Sequence, residues 1–132
     1  MCKQFGIIYC ENLIEFYDFT KAKAFLLPPK GKNMLIITSS GGSGILATDA
    51  AERNMLNVKD LDGNTAKLLK EKLPAHCVIG NHLDLTGDAT AERFEIAAEI
   101  AMANADYDII HLIFGDPIAG AVAVADKIEK EI

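Results

Sequence analysis

The sequence predicts an α/β domain built on a three-layer, doubly wound and mostly parallel sheet. Short apolar runs typical of strands alternate along the chain with longer segments of helical periodicity. The run at 34–38 (MLIIT) is almost continuously apolar, as a strand buried on both faces should be. The chain has 132 residues, of which 50% are hydrophobic, and this is enough for one domain with its own core.

Residues 1–30 are predicted to form a connector of one strand and one helix, docked on the domain formed by residues 31–132. The segment 6–9 (GIIY) is the strand candidate. Asn12 can cap a helix that runs to about Phe25, and the apolar residues of this helix keep to one face.

The domain itself is predicted to alternate strands with helices, which requires right-handed crossovers. The strands are expected at 34–38, 56–58, 77–80 and 108–114. The helices are expected at about 45–54, from a cap at Asn64 or Thr65 through Lys72, at 90–104, and after a turn at 115–117 to the C-terminus. Because this pattern stops on a helix, the domain is expected to be truncated at its C-terminal strands.

Composition excludes several function classes. The net charge of −6 argues against a nucleic-acid partner, which needs clustered positive charge. The apolar runs are too short to span a bilayer, so no membrane contact is predicted. The three cysteines lack CxxC spacing, which favours a reducing, cytoplasmic setting without disulfides or structural zinc.

A loop rich in glycine and serine at 38–44 is the first candidate ligand site, because ligands of parallel sheets bind beyond the carboxyl ends of the strands. Glycines permit close approach of the backbone, and free N–H groups at the start of the next helix attract an anion such as a phosphoryl group. The loop lacks the Lys–Ser/Thr pair of a P-loop. It matches G-x-G-x-x-A from Gly42 to Ala47, and a dinucleotide site would then need Asp60 or Asp62 as its acidic residue. A strand-to-helix turn without a ligand is the remaining alternative.

The polar segment 80–90 is the second candidate site. Asp84 and Asp88 have the chemistry to bind a metal or orient a substrate, although loop acids more often hydrogen-bond backbone amides. His82 lies in the same segment and is a candidate for acid–base chemistry or ligand contact. The three histidines lack metal-ligand spacing, so no metal site is predicted.

At these two loops the sequence resembles the ADP-forming acyl-CoA synthetases, the NDP-forming acetate–CoA ligases of the succinyl-CoA synthetase superfamily. The resemblance rests on residues 34–52 (MLIITSSGGSGILATDAAE), 73–74 (LP) and 81–94 (NHLDLTGDATAERF). Residues 6–24 resemble the connector before this domain, and residues 106–117 resemble a later strand and its proline-bearing loop. The similarity thus covers nearly the whole chain, in order.

The resemblance implies a flavodoxin-like CoA-ligase domain. The family interconverts a free acid, CoA and ATP with an acyl-CoA, ADP and phosphate, with Mg²⁺, through an acyl phosphate and a phosphohistidine that moves between two sites. The glycine loop resembles the start of the family's "power helix", whose N-terminus stabilises the phosphohistidine. The residues implied to face the phosphoryl group are Ser40, Gly41, Gly42, Ser43 and Gly44. Those implied to line the active site are Asn81, His82, Asp84, Gly87 and Asp88.

The resemblance also implies partners, because the family's phosphohistidine motif, CoA-binding domain and ATP-grasp domain lie outside this segment. No catalytic residue is therefore assigned to this chain, which is not expected to complete the reaction alone or to bind CoA or nucleotide tightly. His82 stands where the family usually has a proline, and residues 39–44 (SSGGSG) replace Asn-Ala-Gly-Gly-Pro-Gly. Two alternatives remain: a ligand-sensing, non-catalytic domain of a protein lysine acetyltransferase, and a stand-alone module that binds FMN or a nucleotide.

Overall fold

Strand β1 (Asn33–Thr38) is the centre of the sheet, and every other strand of the described chain pairs with it in parallel. The computed structural model of the protein describes residues 2–103, 106–115, 122–123 and 126–127. The partners of β1 are β2 (Asn57–Val58), β3 (Leu83–Asp84) and β4 (Ile109–Ile113). The continuous apolar run of β1 is explained by this position, since Leu35, Ile36 and Ile37 are fully buried.

The two edges of β1 pair with different numbers of strands. Strand β4 runs beside all of β1 from Met34 to Thr38 and occupies one edge. The other edge is shared, because β2 pairs with Asn33 and Met34 while β3 pairs with Ile37 and Thr38.

The gap between β2 and β3 is closed by a side chain instead of a strand. The amide of Asn81 accepts a hydrogen bond from the N–H of Ile36 (3.1 Å) and donates to the carbonyl of Met34 (2.7 Å). Its second amide proton goes to the carbonyl of Lys59 (2.7 Å). Asn81 therefore satisfies the backbone of β1 where a neighbouring strand would otherwise do so.

Helices cover both faces of the sheet, and the predicted α/β fold class is confirmed. Helices α3 (Gly63–Lys72) and α4 (Ala91–Ala103) pack on the face that carries Leu35 and Ile37, where Phe94 fills the centre of the larger core cluster. Helix α2 (Gly41–Arg53) packs on the opposite face. The alternation of side chains along β1 thus separates two apolar layers.

Two expected element positions were wrong. Helix α2 begins at Gly41 and not near residue 45, so the glycine loop is itself the first turn of the helix. The segment 77–80 forms no strand beyond one antiparallel bridge from Val78 to Asp84, and the strand lies instead at Leu83–Asp84, inside the predicted loop. Segment 77–80 is apolar, but it does not pair with β1. The side-chain amide of Asn81 occupies the edge of β1 between β2 and β3 instead.

The cap of α3 also differs from expectation. Asp62, not Asn64 or Thr65, is the N-cap, and its carboxylate accepts hydrogen bonds from the N–H groups of both of those residues. The hydroxyl of Thr65, followed by these backbone bonds, lowers the pKa of Asp62.

The N-terminal segment is not docked as predicted. Helix α1 (Leu13–Phe25) begins at the expected cap, Asn12, whose side chain accepts from the N–H of Glu15, but none of the helix residues is buried. The expected strand at 6–9 is absent. The predicted C-terminal helix falls mostly outside the described residues; positions 122–123 and 126–127 are helical.

Replacing Asn81 by alanine is expected to lower the free energy of unfolding by about 2–4 kcal/mol, because one N–H and two carbonyls would lose their partner. Chemical denaturation measures this loss. Asn57→Ala is the matched control, since its amide makes only one exposed bond, to Asn33, and we expect it to cost less than about 1 kcal/mol. Equal effects of the two variants would contradict the role assigned to Asn81.

Candidate functional site

The site is built on the corner where β1 ends and α2 begins. Thr38 is completely buried, and its hydroxyl accepts from the N–H of Ser40 (2.9 Å) and donates to the carbonyl of Ser40 (3.0 Å). These two bonds fold the chain sharply from strand into helix. The first turn of α2 is therefore fixed at the carboxyl end of the central strand, where ligands of such sheets bind.

The first turn of α2 has unused backbone donors. Ser40 is the N-cap in an extended conformation, but its side chain makes no capping hydrogen bond to the helix. The first bond within the helix runs from the N–H of Gly44 to the carbonyl of Ser40 (2.9 Å). The N–H groups of Gly41, Gly42 and Ser43 have no acceptor within the helix, and together with the helix dipole they favour an anion.

Serine hydroxyls flank these amides. The Oγ of Ser43 donates to the Oγ of Ser40 at 3.2 Å. The hydroxyl of Ser40 keeps its own proton and therefore adds one donor beside the first turn, of the kind that binds phosphoryl oxygens.

The two predicted loops meet at this turn. A methyl group on Gly41 would lie 2.7 Å from Oδ2 of Asp84, and one on Gly44 would lie within 3 Å of the His82 ring. Gly41 and Gly44 are three residues apart, so they face the same side of α2. Glycine is favoured at both positions, because a β-carbon would displace the His82 ring at Gly44 and the end of the Asp84 carboxylate at Gly41.

Asp84 is held in place from its other side. Its Oδ1 accepts from the N–H of Thr86 (2.8 Å), and the carboxylate is only partly exposed. A negative charge therefore lies beside the positive end of α2. His82 is likewise only partly exposed.

A third loop, which was predicted as a turn at 115–117 and not as part of the site, joins it after β4. The N–H of Gly115 donates to the Oγ of Ser39 (2.9 Å), and a β-carbon on Gly115 would lie 2.8 Å from the Cβ of Ser40. The sequence signal that could have identified this loop is Gly115, directly after the strand expected at 108–114. That strand runs parallel to β1, so both end at the same edge of the sheet.

The other predicted site residues of the second loop are Asn81, Gly87 and Asp88, and each has its own surroundings. Both amide protons of Asn81 are used by backbone carbonyls, as described above. Gly87 is exposed, with open space around a β-carbon. Asp88 accepts two bonds from the guanidinium of Arg93 (2.9 and 3.2 Å) and one from the Thr86 hydroxyl (2.6 Å).

Arg93 was not singled out by the sequence analysis. Its side chain is mostly buried and also donates to the carbonyl of Leu85 (2.8 Å), so it ties helix α4 to the loop that carries Asp84. The Arg93 guanidinium, then the Thr86 hydroxyl and His76, hold the pKa of Asp88 well below its usual range.

The remaining features concern metal ligands, membrane-spanning helices and thiols. No group of three or more His, Cys, Asp or Glu residues within it is arranged to hold a metal ion. No helix within the same ranges is long and apolar enough to cross a membrane. Cys77 is buried, and burial raises the pKa of its thiol, which makes it a poor nucleophile.

The chain is similar to known CoA ligases. The Ligase-CoA domain family matches residues 34–126. The chain is 35% identical over 108 residues to acetate–CoA ligase (ADP-forming) I of Archaeoglobus fulgidus, covering 82% of this chain and 16% of the relative. It is 33% identical over 112 residues to the α subunit of acetate–CoA ligase (ADP-forming) I of Pyrococcus furiosus, covering 85% of this chain and 24% of the relative. The resemblance stated from the sequence is thereby confirmed, although the chain spans about a quarter or less of these relatives.

The fold has a solved counterpart. The apo form of dinucleotide-forming acetyl-coenzyme A synthetase 1 from Ca. Korarchaeum cryptofilum matches with a TM-score of 0.86 and 23% identity, over 98% of this chain and 29% of the solved chain. This similarity confirms the predicted fold.

Gly44→Ala is expected to lower the free energy of unfolding by about 1–3 kcal/mol, because the new methyl group must displace the His82 ring. Gly42→Ala is the matched control, since a β-carbon there meets nothing within 4 Å, and it should be neutral or stabilise by up to about 1 kcal/mol. Urea denaturation of both variants makes the comparison. If Gly44→Ala stabilised the chain as much as Gly42→Ala, the packing of His82 on this turn would be refuted.

The stability contributed by Asp88 should depend on pH. Because its pKa is lowered in the folded chain, the contribution is complete above the ordinary carboxyl pKa of about 3.9 and is lost as the pH falls below it. The melting temperature of the wild type should therefore exceed that of Asp88→Asn at pH 7, and the difference should narrow below about pH 4. Asp18→Asn, on the exposed helix α1, controls for the loss of one charge. A difference that stayed constant down to pH 2 would count against the Arg93–Asp88 interaction.

Proposed function

The chain belongs to the Ligase-CoA domain family, and we propose that it acts as the flavodoxin-like domain of an ADP-forming acyl-CoA synthetase. Its task in that enzyme is to hold a phosphoryl group at the first turn of α2. The reaction of the assembled enzyme joins a free acid to CoA and converts ATP to ADP and phosphate.

One observation carries this proposal: the first turn of α2 presents three N–H groups that have no acceptor within the helix and no side-chain cap. A phosphoryl group carries its charge on three equivalent oxygens, and backbone amides that are already oriented stabilise such charge without reorganisation. The turn lies at the carboxyl edge of the sheet, where two further loops converge on it. Ser40, Gly41, Gly42, Ser43 and Gly44 are thus proposed to contact the phosphoryl group.

His82 and Asp84 are proposed to line the same site. Both contact glycines of the turn, so they border the position of a bound anion. Asp84 is a hydrogen-bond acceptor there and suits a group that carries a proton, such as a histidine ring supplied by another domain. The imidazole of His82 is able to donate to a phosphoryl oxygen.

Asn81, Gly87 and Asp88 are proposed to support the site. Asn81 fixes the start of the loop through β1. Asp88 and Arg93 fix its end, and Gly87 leaves the loop surface open.

The remaining chemistry is assigned to partner domains or subunits, in a cytoplasmic enzyme. They would supply the phosphohistidine, the CoA-binding site, and the ATP-grasp site for ATP or ADP with Mg²⁺. This division is supported by the net charge of −6, which gives this domain little positive charge for anionic substrates.

The alternatives have less support. A dinucleotide site would need Asp60 or Asp62 to bind a ribose, and the carboxylate of Asp62 is occupied as the cap of α3, which leaves Asp60 alone as a candidate. An FMN site would favour a Trp or Tyr in the glycine loop, which has neither. The curated relatives above are ligases, which favours the synthetase over the acetyltransferase regulator.

The proposal is tested with inorganic phosphate and the isolated chain, labelled with ¹⁵N. At constant ionic strength, millimolar phosphate should shift the amide resonances of Gly41, Gly42 and Ser43 more than any others. Gly42→Val should fold normally, because a β-carbon there is unobstructed, yet lose at least tenfold in phosphate affinity, because the isopropyl group covers the exposed amides.

Gly63→Val is the matched control, since Gly63 also lies in the first turn of a helix and also has open space around a β-carbon. It should leave phosphate binding unchanged. Phosphate shifts that are scattered over surface lysines, or that survive in Gly42→Val, would overturn the proposed phosphoryl site.

A further inference from the structure

Asp84 brings a carboxylate against the first turn of α2, at the end where the open N–H groups lie. Its Oδ2 would be 2.7 Å from a β-carbon on Gly41, the first residue of the helix. Because every Cα–Cβ bond of an α-helix tilts toward the N-terminus, the space that Oδ2 occupies lies toward that end of the helix. An anion held by the first turn would therefore be a neighbour of this oxygen.

Oδ2 of Asp84 has no hydrogen-bond donor among the described residues. In that part of the chain, the side chain of Asp84 makes a single hydrogen bond, which Oδ1 accepts from the N–H of Thr86 (2.8 Å). The carboxylate is close to the turn, yet it caps none of the N–H groups of Gly41, Gly42 and Ser43. An open acceptor thus lies beside three open donors, and a ligand that satisfies all of them has to donate as well as accept hydrogen bonds.

The charge of Asp84 is not offset by a lysine or arginine within the described ranges. Arg93, which approaches the same loop, is paired with Asp88. On the side of α2 that Asp84 faces, the next titratable group is the ring of His82, one helical turn along, and the serine hydroxyls of the turn are uncharged. The loop after β4 adds no charge in its described part, residues 114–115. An anion that offers only lone pairs is therefore repelled by the carboxylate.

The ligand that satisfies this arrangement is an anion with a proton of its own. Its oxygens accept from the amides of the turn, while its hydroxyl donates to Oδ2 of Asp84 and replaces the repulsion with a charge-assisted hydrogen bond. A phosphoryl group with one P–OH fulfils both functions. A fully deprotonated anion of the same shape, such as sulfate, accepts but does not donate, and it leaves Oδ2 facing another negative oxygen.

We propose that Asp84 determines the specificity of the phosphoryl site, by selecting a phosphoryl group that carries a proton over an anion that carries none. This inference rests on the proposed function, because it concerns the ligand held at the first turn of α2. It adds the protonation state of that ligand and the residue that reads it. Gly41 is favoured for the same reason, since a β-carbon there would displace Oδ2 from the turn.

Titrations of the ¹⁵N-labelled chain with phosphate and with sulfate, at pH 8 and constant ionic strength, test the proposal. At this pH most inorganic phosphate is HPO₄²⁻, which has the charge of sulfate and differs from it by its proton. Measured at the amides of Gly41, Gly42 and Ser43, phosphate should bind at least tenfold more tightly than sulfate, because only phosphate donates to Asp84. Monofluorophosphate, in which fluorine replaces the hydroxyl group, should bind as weakly as sulfate.

Asp84→Asn removes the charge but keeps an oxygen that accepts from the N–H of Thr86, so the loop should keep its fold. The new amide also has protons to donate, so sulfate should bind within threefold of phosphate in this variant. Asp49→Asn is the matched control, because it makes the same change at an exposed position of the same helix, about two turns away. It should keep the full preference for phosphate.

The outcomes separate this inference from the site on which it rests. A wild type that binds phosphate and sulfate equally at the first turn would overturn the role of Asp84 and leave the phosphoryl site standing. If neither anion shifted these amides, the site and the inference would both be overturned. A tenfold preference that survived in Asp84→Asn would also refute the role of Asp84. The three anions are compared in the wild type, so this arm decides even if Asp84→Asn fails to fold.

Discussion

The side-chain amide of Asn81 is the interaction on which the rest of the structure depends. It accepts a hydrogen bond from the N–H of Ile36 and donates to the carbonyls of Met34 and Lys59. One residue therefore joins three segments that are distant in the sequence. The edge of β1 is otherwise covered by two strands of only two residues each. Without the Asn81 amide, buried donors and acceptors in the middle of β1 would lack partners, at a cost comparable to a large share of a domain's net stability.

The geometry of the site follows from this constraint. Because Asn81 is fixed to β1, the next residues are carried along the carboxyl edge of the sheet, and His82 and Asp84 come against the first turn of α2. Gly41 and Gly44 are the consequence, since a β-carbon at either position would collide with these side chains. The glycines thus serve two purposes: they admit the second loop, and they leave the amides of the turn open to an anion. Arg93 secures the far end of the loop from helix α4, so both ends are anchored on regular structure.

The sequence was sufficient to place a helix or strand where the local signal and the burial of the segment agree. The continuous apolar run of β1, the cap at Asn12 and the helix expected at 90–104 each agree with the structure within a few residues. The glycine loop lies at the carboxyl end of β1, as was expected for a parallel sheet, and the second loop meets it there. The failures have a common physical cause. Helix α2 begins in a glycine run that local propensity disfavours, and the two-residue strand β3 is less apolar than the segment before it. In both cases hydrogen bonds override local propensity: those of the Thr38 hydroxyl to Ser40 at the start of α2, and the pairing of β3 with the end of β1. The contributions of Gly115 and Arg93 were missed for the same reason, since each depends on a contact that only the folded chain creates.

The central claim is that the Asn81 amide takes the place of a strand beside β1. The most direct test is the scalar coupling across hydrogen bonds in the NMR spectrum of the wild-type chain. We expect a correlation between the amide nitrogen of Ile36 and the side-chain carbonyl carbon of Asn81, and slow exchange of the Ile36 amide proton. A correlation from Ile36 to a backbone carbonyl, or rapid exchange of that proton with no correlation, would contradict the account.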